Sequence, residues 1–438
     1  MKVVLVSEHA SPAAVIGGVD AGGQNIYVGQ VARCLAQRGH QVEVLTRRDS
    51  AASPSMLDLP CGTRVVNIDA GPASFLPKEQ LLPYMDEFAL RSERYLADTA
   101  RERGHRDVVH ANFFMSGLVA DHLKQSLALP YVVTFHALGL VRRQHQKEAD
   151  GFPDERIDIE RMLVQRADQV IAECPQDKAD LVDLYGADSR RTATIPCGFD
   201  AGEFAPMDRT EARRRLGIAV DEFIVLQLGR LVPRKGIDNV IRAMGLLPPG
   251  LKARLLVVGG DAADPGSMGE SAKAEVARLR RVADEAGVGA RVGFVGHRQR
   301  PDLRSYYAAA DVFVTTPWYE PFGITPLEAM ACGRAVVGSD VGGIKHSVVD
   351  EVTGFLVPPD APRPLADRLM RLCTDEALKD SMGAAGLQRA RSLFTWEQVT
   401  ERLMDVYGRI VAHSNAVPAV VQIARGSTEA TVAWAAAA

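Results

Sequence analysis

Residues 311–328 read Asp311-Val-Phe-Val-Thr-Thr-Pro-Trp-Tyr-Glu320-Pro-Phe-Gly-Ile-Thr-Pro-Leu-Glu328. The apolar run Asp311–Thr315 is a β-strand by its branched and aromatic residues, and a helix opens shortly after it. Thr325 is the expected N-cap, Pro326 suits the first helical position and Glu328 the third. The stretch therefore places two carboxylates, a glycine hinge and a helix N-terminus at the C-terminal edge of a parallel sheet. Ligands of open α/β folds bind at that edge, and free backbone N–H groups there attract phosphate.

Outward from this point the same alternation recurs. Lys2–Ser7, Gln41–Thr46, Arg64–Ile68, Asp107–His110, Tyr131–Phe135, Gln169–Ala172 and Thr192–Ile195 read as strands separated by helices, which makes a parallel α/β layer. Val28, Val31, Ala32 and Leu35 recur at helical spacing and Gly39 ends that helix. A polar, Arg-rich segment from Asp208 to Leu216 interrupts the pattern. It restarts with Phe223–Leu228, followed by Arg254–Val258, Arg291–Val295, Asp311–Thr315, Ala335–Gly338 and Phe355–Val357. The expected architecture is α/β, with two doubly wound, Rossmann-like domains (1–205 and 206–395) facing across a cleft. A final helix is expected over 396–412, and a poorly ordered tail over 413–438.

The 438 residues exceed one ordinary core, and 47% hydrophobic with 24% charged residues is a globular composition. A formal net charge of −4 gives no reason to expect nucleic acid as a partner. The six cysteines form no Cys-x-x-Cys pair, so neither zinc nor a disulfide framework is expected. The apolar run at Met1–Val6 is too short for a signal or a membrane span, so a cytoplasmic protein is expected, with peripheral membrane contact left open.

Three further groups converge on the expected cleft. Gly22 and Gly23, in Asp20-Ala-Gly-Gly-Gln24, sit where the first strand hands over to the first helix; they bring backbone N–H groups to a phosphate, or they only make a tight turn. The dinucleotide Gly-x-Gly-x-x-Gly fingerprint is absent there. Arg230 and Lys235, in Gly229-Arg-Leu-Val-Pro-Arg-Lys-Gly236, offer a planar fork and a point charge suited to a diphosphate, the alternative being a solvated basic loop. His136 ends the strand Tyr131–Phe135 and faces the same crevice from the other domain, unless it is a satisfied structural histidine. Glu328 has the alternative of completing a capping box with Thr325. No Asp-x-Asp occurs, so the carboxylate pair that commonly holds a metal on a nucleotide diphosphate is missing, and no metal site is expected.

At these residues the chain resembles the retaining GT-B glycosyltransferases that include sucrose-phosphate synthase, the inositol-phosphate transferase of mycothiol synthesis and bacterial mannosyl- and glucosyltransferases. The similarity spans residues 1 to about 412 and rests on Gly-Gly-Gln-Asn-Ile-Tyr27, Thr-Phe-His-Ala137, the segment 229–236 and the pair Glu320 and Glu328. The resemblance implies transfer of a hexosyl group from a UDP- or GDP-sugar to an acceptor hydroxyl with retention, without metal or cofactor, and a last helix crossing back to the first domain. It implies that Gly23 lies beside the donor diphosphate, that Arg230 and Lys235 clamp it, and that Glu320 holds a donor-sugar hydroxyl. Glu328 would bind the ribose, the backbone of Phe322, Gly323 and Ile324 would face sugar and phosphate, and His136 would lie beside the reacting sugar. Lys78 and Arg156 match positions that meet an acceptor phosphate, and Asn112 is assigned to the acceptor side; whether the acceptor is a small molecule, phosphorylated or not, or a cell-surface glycan or lipid stays open. The rival reading is a non-catalytic nucleotide-sugar binder or regulatory protein on the same fold.

Overall fold

The computed structural model describes residues 1–13, 22–147, 150–260, 262 and 268–416. Asp20 and Ala21, and the part of the expected tail beyond Ala416, lie outside them. The first sheet contains β1 (Lys2–Val6), β2 (Gln41–Arg47), β3 (Met56–Asp58), β4 (Thr63–Ile68), β5 (Val108–Asn112), β6 (Tyr131–Thr134), β7 (Gln169–Ala172) and β8 (Thr192–Thr194). Their order is β3-β4-β2-β1-β5-β6-β7-β8, parallel apart from the antiparallel β3–β4 pair. β3 has no counterpart in the sequence reading, because three exposed residues show no alternation and an edge strand needs only one partner. The first helix, Gly23–Gln37, buries Val28, Val31, Ala32 and Leu35 as its spacing requires.

The second sheet contains β9 (Phe223–Leu228), β10 (Ala253–Val258), β11 (Val292–Gly296), β12 (Val312–Thr315), β13 (Ala335–Ser339) and β14 (Gly354–Val357), in the order β11-β10-β9-β12-β13-β14. All its pairings are parallel. The winding reverses between β1 and β5 in the first sheet and between β9 and β12 in the second. The loops leaving β9 and β12 carry Arg230, Lys235 and Glu320, so the second reversal delivers these side chains to one crevice.

The chain returns to the first domain at Phe199, whose N–H donates to the Phe394 carbonyl at 2.9 Å, while the Trp396 N–H donates to the Phe199 carbonyl at 3.2 Å. The terminal helix runs from Trp396 to Ala416, four residues past its expected end. Its fully buried Trp396 meets Tyr27 edge-on at 5.7 Å, and its Tyr407 hydroxyl lies 2.6 Å from His110 Nδ1 on β5. This helix closes the fold by adding Trp396, Val399, Leu403 and Tyr407 to a buried apolar cluster that spans both domains.

Candidate active site

In the second domain the β9 and β12 loops are locked together. A side chain on Gly236, at φ 64°, would place its Cβ 1.9 Å from the Thr316 carbonyl oxygen, so glycine is required for their contact. Thr316 Oγ1 donates to the Gly236 carbonyl at 2.9 Å, and the Trp318 N–H to the Arg234 carbonyl at 2.9 Å. On this frame the Lys235 ammonium meets the Glu320 carboxylate, with Arg234 3.9 Å from the same oxygen. Burial raises the Glu320 carboxyl, but Lys235, Arg234 and Arg230 outweigh it and hold the group below its ordinary range. Burial pushes the Lys235 ammonium down, with Glu320 opposing.

The helix after Glu320 starts earlier than its sequence suggests. Gly323, at φ 93°, makes the turn, and the helix spans Ile324–Ala331. Thr325 is therefore inside the first turn and not its N-cap, while Pro326 still occupies a position whose N–H needs no helical partner. Glu328 does not complete a capping box. Its oxygens accept from Tyr307 Oη at 2.8 Å and Arg300 Nη1 at 3.1 Å, and burial raises its carboxyl despite Arg300. Arg300 and Tyr307 were not found from sequence; an arginine and a tyrosine on one helix give no signal until that helix is placed beside Glu328. Phe322 is buried.

The first domain supplies the opposite wall. Gly22 caps the first helix, and an added Cβ on Gly23 would lie 3.8 Å from Ile324 Cδ1, so the two helix starts face each other across the cleft. Gln24 Nε2 donates to the Asn112 carbonyl at 3.0 Å and ties this helix start to β5. His136, at φ 58°, follows β6; its Nδ1 is 2.9 Å from Glu173 Oε1 and its Nε2 3.1 Å from Asn112 Oδ1. The cleft is bordered by Leu138, His145 and Gln176 on one side and Trp318, Tyr319 and Lys345 on the other. The His145 and Tyr319 rings stack at 4.9 Å, Lys345 Nζ donates to Gln176 Oε1 at 3.0 Å, and Cys174 Sγ lies 3.4 Å from the Pro321 carbonyl oxygen.

Two of the three residues assigned to the acceptor, Asn112 and Arg156, are buried. Asn112 is fully buried beneath His136. Arg156, 1% exposed, donates from Nε to Glu160 at 2.7 Å and from Nη2 to the Ala137 carbonyl, with its guanidinium 4.5–4.9 Å from the rings of Phe113, Phe114 and Phe152. Glu160 also accepts from the Gly139 N–H at 2.9 Å and from Tyr185 at 2.5 Å, so this buried network braces the segment that follows His136. Lys78 opens a short 3-10 turn, Lys78–Gln80. No cluster of metal-ligating side chains occurs among the described residues, and none of their helices is long and apolar enough to cross a membrane.

Comparison with known proteins fits this geometry. The family model described as glycosyl transferases group 1 matches residues 208–389, and that of glycosyltransferase family 4 matches residues 21–203, dividing the chain where the two sheets divide. D-inositol 3-phosphate glycosyltransferase of Actinosynnema mirum is 36% identical over 415 residues, covering 93% of this chain and 97% of that protein. The protein of the same name from Mycobacterium tuberculosis is 36% identical over 419 residues, covering 95% and 84%. The solved sucrose-phosphate synthase of Thermosynechococcus elongatus is 35% identical, with a TM-score of 0.85 over 94% of this chain and 99% of that one. The chain thus belongs to the GT-B glycosyltransferases, in the family that holds these inositol-phosphate transferases and sucrose-phosphate synthase.

Proposed function

We propose that this glycosyltransferase moves a hexosyl group from a UDP- or GDP-sugar to a hydroxyl of a sugar, polyol or glycan acceptor, with retention of configuration and without metal or cofactor, in the cytoplasm. The observation that carries this reading is the half-buried Lys235–Glu320 pair, set at the reversal of the second sheet between two facing helix starts. A diphosphate entering there meets Arg230, Lys235 and the free N–H groups of both helices. As Lys235 turns to the phosphate, Glu320 is released to accept a hydrogen bond from a donor-sugar hydroxyl. The bond from the anomeric carbon to the leaving phosphate oxygen breaks as the cations stabilise the charge developing there. The acceptor oxygen attacks from the same face, and its proton passes to the departing phosphate oxygen.

The absence of Asp-x-Asp supports neutralisation of the leaving group by protein cations. The relatives' names support a sugar or polyol acceptor. The test is incubation of metal-stripped protein with UDP- and GDP-hexoses and a panel of sugar and polyol acceptors, with the product's anomeric configuration read by NMR. A product of inverted configuration, or turnover only after a divalent ion is added, would reject the mechanism. Donor binding without transfer to any acceptor would favour a nucleotide-sugar binder.

A further inference from the structure

His136 is held from both sides by groups that can only accept. β5, β6 and β7 are neighbours in the sheet, so their C-terminal ends bring Asn112, His136 and Glu173 into one row. Asn112 Nδ2 donates to the Val6 carbonyl at 3.3 Å and the His110 carbonyl at 3.2 Å. Those two bonds fix the orientation of the amide, because only its NH2 end can satisfy two carbonyls, and they leave Oδ1 aimed at His136 Nε2. On the other side the Glu173 carboxylate, 3% exposed, accepts from His136 Nδ1 and from Cys197 Sγ at 3.0 Å. The edge of Tyr27, 4.8 Å away on the first helix, closes a third side. Asp177 stands behind Glu173, accepting from its backbone N–H at 2.8 Å.

We propose that Glu173 is a positioning residue which, with Asn112, keeps His136 as a ring donating from both nitrogens, so that His136 brings a fixed positive charge to the cleft and no lone pair. This rests on the transferase reading and deepens it. A ring of this kind cannot take the acceptor's proton, which leaves that task to the departing phosphate oxygen. The left-handed backbone at His136 belongs to the same device, since it costs stability and persists only where the surroundings hold it. Asn112 keeps Nε2 donating and Glu173 keeps Nδ1 donating; glutamine at 173 removes the counter-ion and can turn an NH2 toward Nδ1, so the ring no longer needs a second proton.

The ring is read directly by long-range 1H–15N NMR of the full-length protein labelled at histidine, without substrate, with the His136 signals assigned from His136→Gln. The expected result at neutral pH is two protonated ring nitrogens. One protonated and one bare nitrogen would overturn the proposal. Glu173→Gln is expected to convert the signature to that of a neutral ring and to lower kcat by about a hundredfold, the scale of a misplaced catalytic group, with KM for the donor within about threefold of the wild-type value. An unchanged kcat in a variant whose ring has become neutral would also overturn it. The wild-type spectrum decides the matter if that variant fails to fold. Because the spectrum is recorded without substrate, its failure leaves the transferase reading standing, whereas absence of donor turnover in the wild-type enzyme would sink that reading alone.

Discussion

Lys235 and Glu320 pair with each other, so a diphosphate would have to compete with Glu320 for the ammonium. Glu320→Gln removes that competition. The variant is expected to bind nucleoside diphosphate at least as tightly as wild type while its turnover with the sugar donor falls about tenfold or more, the worth of one hydrogen bond made in the transition state. Weaker nucleotide binding together with normal turnover would contradict the exchange. A second residue carries a pH effect. Asp177, half-buried on the cleft wall, is pushed up to about 8 by burial and by the charge of Glu173. Its folded form thus holds a proton that the unfolded chain releases near 3.8, and stability contributed by this group is lost as pH rises between those values. Asp177→Asn should raise stability near pH 8 by on the order of 1 kcal/mol, after allowance for solvent contact, and leave it unchanged near pH 4. Thermal melts at the two pH values check this, and an equal shift at both would reject the assignment.

At the scale of elements, the terminal helix docks on the first domain through a buried apolar seam into which Tyr407 brings a hydroxyl against His110. His110 lies fully buried between Tyr407 Oη at 2.6 Å and Thr134 Oγ1 at 2.8 Å, and burial, with the charge of His136, pushes it down to about 3 from an ordinary 6.5. Its folded form resists protonation, so docking is strongest above pH 6.5 and weakens as pH falls toward 3. Tyr407→Phe should cost about 1–3 kcal/mol by leaving a buried ring nitrogen unpaired. Denaturant melts would show it, and loss of less than a few tenths would mean that water replaces the hydroxyl. Most elements were legible because their apolar residues repeat at strand or helix period. The exceptions have physical causes. β3 is too short to show a period, and the helix after Glu320 starts where Gly323 takes a left-handed backbone, whereas Thr325 and Pro326 suggested a later cap. The terminal helix continues through His413 and Ser414, which pack nothing distinctive.

At the scale of the whole molecule, the candidate site joins Gly23, His136, Arg230, Lys235, Glu320 and Glu328, far apart in sequence but each between a strand's C-terminal end and the helix that follows it, or in that helix. That rule of the fold made them readable. Glu173 and Arg300 were not, since their roles arise from neighbouring strands and packed helices. The resemblance alone implied an acceptor-facing Arg156; here its guanidinium pairs with Glu160 and lies against three phenylalanine rings. The central claim is that Lys235 clamps the diphosphate of a nucleotide donor without a metal. Calorimetric titration of metal-free wild-type protein and Lys235→Ala with UDP, GDP and ADP tests it directly. The account predicts binding of one nucleotide by the wild type and a loss of more than about 1.5 kcal/mol in the variant, the strength of a charge-assisted contact. Equal affinity in the two proteins, or binding that needs magnesium, would contradict it.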